Sequence, residues 1–214
     1  MLRAPWPVLA LVGLLVGLHG WRVLAQASAA PFALTAADLP GRRWAAFVTH
    51  IFTHANWPHV LMNAAFCLVF GAPVARLFGS RPAGGLLFFA FFLSSGVAAA
   101  LGYTLLYPHG EWMLVGASGA ASGLMGAAAR LLERRGRPGP ILSRPVLAMT
   151  LGWIIANAAL GLSGLTPGAG GMPVAWQAHI LGFFAGLLLI GPFAWAAAAL
   201  RDRAMSTGLD RRRL

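Results

Sequence analysis

The sequence predicts an all-α protein that crosses a membrane several times. Of its 214 residues, 58% are hydrophobic and only 10% are charged, and the mean hydropathy is +0.72. A soluble domain carries about 25% charged residues. Apolar runs of roughly 20 residues, the length of a helix that crosses the hydrocarbon core, recur along the chain. Because lipid offers the backbone no hydrogen-bond partners, these runs are expected to be helices.

Six apolar runs are predicted as transmembrane helices of a single membrane domain that covers 1–214. The predicted spans lie at about 5–24, 57–78, 83–106, 116–132, 146–165 and 176–200. The fourth is the shortest, which is typical of a helix that begins below the membrane surface. The first run could instead be a cleaved signal peptide, because Met1-Leu2-Arg3 precedes it and Ala25-Gln26-Ala27 follows it. Its apolar stretch of about 18 residues favours a retained helix.

The basic residues indicate membrane topology rather than nucleic-acid binding, although the formal net charge is +11. All sixteen are Arg, and they lie between the apolar runs. With six spans threaded, one side carries Arg3, Arg76, Arg81, Arg130, Arg134, Arg135, Arg137, Arg144, Arg201, Arg203, Arg211, Arg212 and Arg213. The other side carries Arg22, Arg42 and Arg43. Because basic residues accumulate on the cytoplasmic side, both termini and a basic tail over 201–214 are predicted there. The lack of Lys is typical of a GC-rich bacterial genome, which favours a bacterial inner membrane.

Two of the spans carry the parts of an activated serine. The fourth begins with Gly116-Ala117-Ser118-Gly119, and the last contains His179. A serine hydroxyl becomes a good nucleophile when an adjacent base accepts its proton, and histidine suits that role. Polar groups inside membrane spans are costly and usually functional. Packing alone could also explain a serine on a small-residue stripe, and a lone histidine can bond to a backbone carbonyl.

Glycines predict that these two spans approach closely. Gly182 and Gly186 share a helix face with His179, and Gly119 begins a glycine stripe in the fourth span. Small residues on facing helices allow backbone-to-backbone packing in membranes. Such packing would bring the imidazole of His179 within hydrogen-bond reach of Ser118.

The second span supplies two more hydrogen-bond donors, His59 and Asn63, one turn apart on one face. A tetrahedral oxyanion needs such donors, together with a backbone N–H such as that of Ser118. The alternative is a polar clamp between helices. The five carboxylates lie in loops, at span edges or in tails, which excludes an aspartyl protease and leaves a Ser-His dyad. His50 and His54 have zinc-like spacing, but Ile51 replaces the Glu that a His-Glu-x-x-His site requires, so no metal is expected.

Over about 50–200 the sequence resembles the rhomboid family of intramembrane serine proteases. The resemblance lies in His54-x4-His59-x3-Asn63, Gly116-x-Ser118-Gly119 and Ala178-His179-x2-Gly182-x3-Gly186, in this order and on matching spans. It implies a six-helix rhomboid-like bundle that needs no cofactor. It also implies Ser118 as the nucleophile, His179 as the general base, and His59, Asn63 and the Ser118 amide as the oxyanion site. His54 would have a supporting role.

The resemblance further implies substrates that are transmembrane proteins, cleaved in or beside a membrane helix. They would enter between the second and fifth spans, below a cap formed by the loop 163–175. The expected partners are these substrates and the lipid bilayer, with no nucleic acid, and the sequence carries no signal for an oligomeric state. One departure is Ser122, which stands where several family members place an aromatic ring that stacks on the catalytic histidine. The rivals are a non-catalytic rhomboid-like binder or chaperone of membrane proteins, and a small transporter whose polar residues line a pore.

Overall fold

The computed structural model describes residues 4–38, 43–109, 112–134, 136–164 and 174–210. Seven α-helices form within these residues. They are α1 (Trp6–Leu24), α2 (Ala46–Phe52), α3 (Trp57–Phe78), α4 (Pro82–Leu106), α5 (Ser118–Leu131), α6 (Arg144–Ser163) and α7 (Trp176–Asp210). Two short antiparallel strands, β1 (Leu34–Thr35) and β2 (Met113–Leu114), pair Leu34 with Leu114 and Thr35 with Met113. The predicted all-α membrane bundle is therefore confirmed.

The helix starts follow from local sequence signals. Prolines lie in the first turn of α1, α3, α4 and α6, where the missing N–H would have had no partner within the helix. Asn56 caps α3, because its side-chain oxygen accepts a hydrogen bond of 2.9 Å from the backbone N–H of His59. Gly164 ends α6 in a left-handed conformation with φ +69°.

Among the described residues, five helices are long and apolar enough to cross a membrane: α1, α3, α4, α6, and the part of α7 over Trp176–Arg203. The sequence predicted six spans and expected the fourth to be the shortest, a helix that begins below the membrane surface. The fourth predicted span corresponds to α5, whose 14 residues reach only about 21 Å, less than the roughly 30 Å of the hydrocarbon core. α7 also continues beyond residue 200, where the sequence predicted a separate tail, and its helical backbone runs to Asp210.

The short helix α5 lies at the centre of the bundle, packed against α3, α4 and α7. Most of its length is buried, and Leu124 fits into the main core beside large side chains such as Phe88 and Phe92 of α4. α1 covers another side of α3 through Val8, Leu11 and Leu15. This arrangement surrounds the residues that head α5 with the rest of the bundle.

α6 is the peripheral helix of the bundle. Only two of its side chains, Val146 and Asn157, are buried, and it contacts mainly α5 and α7. A helix in this position presents most of its surface to the surroundings, so few of its side chains contact the rest of the protein.

The segment between α1 and α3 has more structure than the sequence predicted. No span was predicted between 24 and 57, whereas β1 pairs with β2 and the short helix α2 packs against α4. The Arg43 side chain supports this segment by pairing with Asp38 at 3.0 Å and donating to the carbonyl of Ala33 at 2.8 Å. The pairing of β1 with β2 fixes the chain at Met113 and Leu114, shortly before α5 begins.

Candidate active site

Ser118 and His179 meet at the ends of two central helices. Ser118 is the first residue of α5, and His179 lies in the first turn of α7. The Oγ of Ser118 and the Nε2 of His179 are 2.8 Å apart, the distance of a good hydrogen bond. Both side chains are half-buried, so the pair remains open to a reacting group. The predicted dyad is therefore brought together with the geometry that proton transfer needs.

Glycines on α5 and α7 allow this approach. A β-carbon added to Gly182 would overlap the backbone carbonyl of Gly119, and one added to Gly186 would overlap that of Gly123. Across α5, a β-carbon on Gly119 would come within 2.9 Å of the Ala99 side chain of α4. The backbones of α5 and α7 thus pack directly on each other, as the glycine pattern predicted. This contact sets the distance between Ser118 and His179.

Two side chains of α3 converge on the backbone that leads into α5. A β-carbon built on Gly116 would lie 2.6 Å from the Nε2 of His59 and 3.4 Å from the Nδ2 of Asn63. Gly116 also has a φ of +111°, a conformation that side-chain-bearing residues rarely adopt, so glycine is required there on two grounds. Asn63 is buried, and its Nδ2 has no hydrogen-bond partner among the described residues.

His59 and Asn63 lie beside Gly116, two residues before Ser118, where they could donate hydrogen bonds to an anion. The first N–H groups of a helix have no partner within that helix, which applies to the amide of Ser118 at the head of α5. The buried Nδ2 of Asn63 has no partner among the described residues, which is costly, and a developing negative charge nearby would satisfy it. His59 and Asn63 thus lie together beside Gly116, and their role as oxyanion donors stays a prediction.

Two histidines of the preceding segment hold the backbone before Ser118. The Nε2 of His54 accepts a hydrogen bond of 3.3 Å from the N–H of Ala117, and the carbonyl of His50 accepts one of 2.9 Å from the N–H of Gly116. Burial, aided by the neighbouring His59, lowers the pKa of His54 to about 3, so its ring is neutral and free to accept. The geometry gives His54 a contact that fits its expected supporting role.

His179 has a second partner that the sequence analysis missed. Its Nδ1 lies 2.8 Å from the Oδ1 of Asn157 on α6. Asn157 is 6% exposed, and its Nδ2 donates a hydrogen bond of 2.9 Å to the backbone carbonyl of Trp153. The signal was present, since Asn157 is a polar residue inside an apolar span, the same criterion that selected Asn63 and His179.

Ser122 does not contribute a ring beside His179. Its hydroxyl donates to the carbonyl of Ser118 at 2.7 Å and so remains within α5. The ring near His179 comes from Trp153 of α6 instead, with ring centroids 6.5 Å apart and planes tilted by 35°. An aromatic ring thus lies near His179, but it comes from α6 and not from position 122 of α5.

Acidic residues do not contribute to this arrangement within the described part of the chain. The Asp38 carboxylate accepts from Thr35 and pairs with Arg43, far along the sequence from the dyad. Among the same described residues, no group of three or more His, Cys, Asp or Glu could hold a metal ion. The predicted cap over 163–175 falls mostly on residues 165–173, which lie outside the described ranges.

Comparison with known proteins identifies related sequences. The family model described as a rhomboid domain matches residues 41–195, most of the chain. The chain is also similar to rhomboid-like protein 11, chloroplastic, of Arabidopsis thaliana, with 32% identity over 151 residues. These residues cover 69% of this chain and 51% of the relative, so the chain spans about half the length of that protein.

Proposed function

Because the chain belongs to the rhomboid family, we propose that it is an intramembrane serine endopeptidase with Ser118 as nucleophile and His179 as general base. The observation that carries the proposal is the hydrogen bond of 2.8 Å between Ser118 Oγ and His179 Nε2. A fold alone does not define an activity. Here the supporting argument comes from the chemistry of the residues at the head of α5.

In the proposed reaction, the Oγ of Ser118 attacks the carbonyl of the scissile peptide bond while the Nε2 of His179 takes its proton. The oxygen of the tetrahedral intermediate accepts hydrogen bonds from His59, from Asn63 and from the Ser118 amide. Collapse of the intermediate breaks the C–N bond, and His179 gives its proton to the leaving amine. Water then hydrolyses the acyl-enzyme with the same residue acting as base, which restores Ser118.

The proposed substrates are transmembrane proteins cut in or beside a membrane helix. A helical backbone hides its carbonyl groups in internal hydrogen bonds, so a helix with small residues that unwinds easily fits this chemistry best. We place the protein in a bacterial inner membrane with both termini in the cytoplasm. The support for this orientation is the concentration of Arg on one side of the threaded spans.

The proposal is tested with a fluorophosphonate probe and with cleavage of a transmembrane substrate in liposomes. Wild-type protein is expected to be labelled at Ser118 and to cleave the substrate. Ser118→Ala should lose both activities while keeping its thermal unfolding temperature, because the change removes one partly buried hydroxyl. Ser122→Ala is the matched control, since this hydroxyl bonds within α5 one turn further along the same helix.

The same experiment distinguishes the rival function. A non-catalytic binder of membrane proteins would capture the substrate equally well with or without the Ser118 hydroxyl, and neither form would cut it. Cleavage by Ser118→Ala at a tenth of the wild-type rate or more would rule out Ser118 as the nucleophile.

A further inference from the structure

A peripheral helix reaches the proposed dyad through one polar side chain. α6 buries only Val146 and Asn157, and Asn157 places its Oδ1 2.8 Å from the Nδ1 of His179. The Nε2 on the opposite side of the same ring faces Ser118. The imidazole is therefore held between α5 and α6, with one ring nitrogen directed at each helix.

The second hydrogen bond of Asn157 fixes which atom faces His179. Its Nδ2 donates to the backbone carbonyl of Trp153, one turn earlier on α6, at 2.9 Å. If the amide were turned over, its oxygen would face that carbonyl, and two acceptors would be opposed in a buried place. The Oδ1 of Asn157 must therefore point towards His179.

An oxygen at that position determines the tautomer of the imidazole. A side-chain carbonyl can only accept a hydrogen bond, so the Nδ1 of His179 must carry the proton. In a neutral imidazole one nitrogen is then a donor and the other an acceptor, which leaves the lone pair on Nε2. That lone pair is the one directed at the Ser118 hydroxyl.

We propose that Asn157 is a positioning residue that holds His179 in the tautomer and orientation required for deprotonating Ser118. This proposal rests on the proposed protease function. Asn157 touches neither the scissile bond nor Ser118, and it acts only through His179. Ser118 and His179 remain the reacting pair, and Asn157 places an amide where many serine hydrolases have a carboxylate.

The alternative is that Asn157 merely joins α6 to α7 as a polar clamp. The two roles differ in what Asn157→Leu and Asn157→Asp should do. Leu has a similar size but no acceptor, whereas Asp keeps an oxygen towards His179. Thr150→Val is the matched control on α6, because it removes a side-chain hydroxyl that bonds to the Val146 carbonyl of its own helix, at 2.8 Å.

The kinetic test measures cleavage of a transmembrane substrate in liposomes. Asn157→Leu should lower kcat about 10- to 100-fold with little change in KM, because a misoriented base impairs the chemical step rather than binding. Asn157→Asp should keep more activity, and the acid limb of its kcat/KM profile should move to higher pH, because a carboxylate stabilises the imidazolium. Thr150→Val should match the wild type. A kcat of Asn157→Leu within twofold of wild type would overturn the proposal.

A second measurement does not depend on activity. Magnetic resonance of isotope-labelled imidazole nitrogens, assigned with His179→Ala, reports which nitrogen of His179 carries the proton. We expect the proton on Nδ1 in the wild type and in Thr150→Val, and a loss of this preference in Asn157→Leu. An unchanged tautomer in Asn157→Leu would assign Asn157 to the clamp.

If the wild type shows no labelling or cleavage, the protease function fails, while the tautomer still decides the role of Asn157. If Asn157→Leu does not fold, the pH profile and tautomer of Asn157→Asp decide it.

Discussion

Substitution of Gly182 by Ala tests whether the backbone contact between α5 and α7 sets the catalytic distance. The added β-carbon would overlap the Gly119 carbonyl oxygen and would lie 2.9 Å from its carbonyl carbon. Non-bonded carbons rest at about 3.5 Å or more, so the helices must separate by at least about 0.6 Å. No side-chain rotation can relieve this contact, because the opposing atoms belong to the backbone of α5.

The separation would act directly on the dyad, since His179 lies one turn before Gly182 on the same face of α7. Adding about 0.6 Å to the present 2.8 Å puts Ser118 Oγ and His179 Nε2 beyond the usual hydrogen-bond range. Misplacement on this scale approaches the 1 Å error that costs about 100-fold in rate. Overpacking of a tight interface also destabilises by about 1–3 kcal/mol.

The assay compares substrate cleavage in liposomes and thermal unfolding in detergent for two variants of α7. Gly182→Ala should lose most of its activity, by up to about 100-fold, and should unfold at a lower temperature. Gly191→Ala is the matched control, because a β-carbon there meets only the Arg130 side chain, at an ordinary 3.7 Å. Full activity and stability of Gly182→Ala would refute the argument that close packing of α5 and α7 positions the site.

Two further predictions concern the residues around the head of α5. Asn63→Ala should lower kcat with little effect on KM. Because His59 and the Ser118 amide remain, the loss in kcat should be at most the roughly 100- to 1000-fold seen when a single oxyanion donor is removed. A change in KM alone would place Asn63 in substrate binding instead. The pKa of His54 is lowered from 6.5 to about 3 in the folded protein. On acidification, His54 therefore takes up a proton in the unfolded protein before it does so in the folded protein. The stability that its neutral ring contributes above pH 6.5 is lost as the pH falls towards 3. The unfolding temperature of the wild type should therefore drop on acidification from about pH 7.5 to about pH 5. His54→Gln can still accept the hydrogen bond from Ala117 and should show a smaller drop. Equal drops in the two proteins would contradict the argument that protonation of the buried His54 destabilises the fold.

Composition and length were sufficient to predict the long helices. A run of about 20 apolar residues can only be a helix in lipid, and the predicted bounds 57–78 coincide with those of α3. The contact between α5 and α7 was also predictable, because glycines that recur on one face of a membrane helix indicate close packing against another helix. The residues Ser118 and His179 could therefore be paired before their distance was known.

Short elements could not be predicted in the same way. The helix α2 has seven residues, and the strands β1 and β2 have two each. Such segments are too short for a periodic hydrophobic pattern, and isolated helices of that length are not stable in water. Their structure depends on tertiary contacts, such as the packing of Phe47 in a buried cluster with Leu34 and Ala100.

Which face of α6 is directed at the protein could not be predicted, for a different physical reason. In a soluble helix, an apolar stripe shows which face is buried. In a membrane, the residues that face lipid are as apolar as those that face the protein, so the stripe disappears. The bounds of α6 were predicted within two residues, yet nothing in its hydrophobic pattern showed that Asn157 faces His179.

The choice of an amide at position 157 follows from the cost of charge in a membrane helix. A carboxylate there would remain ionised only if it were paired, and α6 buries no cation beside it. An amide presents the same acceptor oxygen to His179 without a net charge, and its remaining donor is satisfied by Trp153 of its own helix. On the proposed mechanism, such a group can orient the base but stabilises the imidazolium less than a carboxylate does. Asn157→Asp should therefore move the acid limb of the kcat/KM profile to higher pH and lower the unfolding temperature of the bundle. Separate measurements of the pH profile and of thermal unfolding would show these two effects.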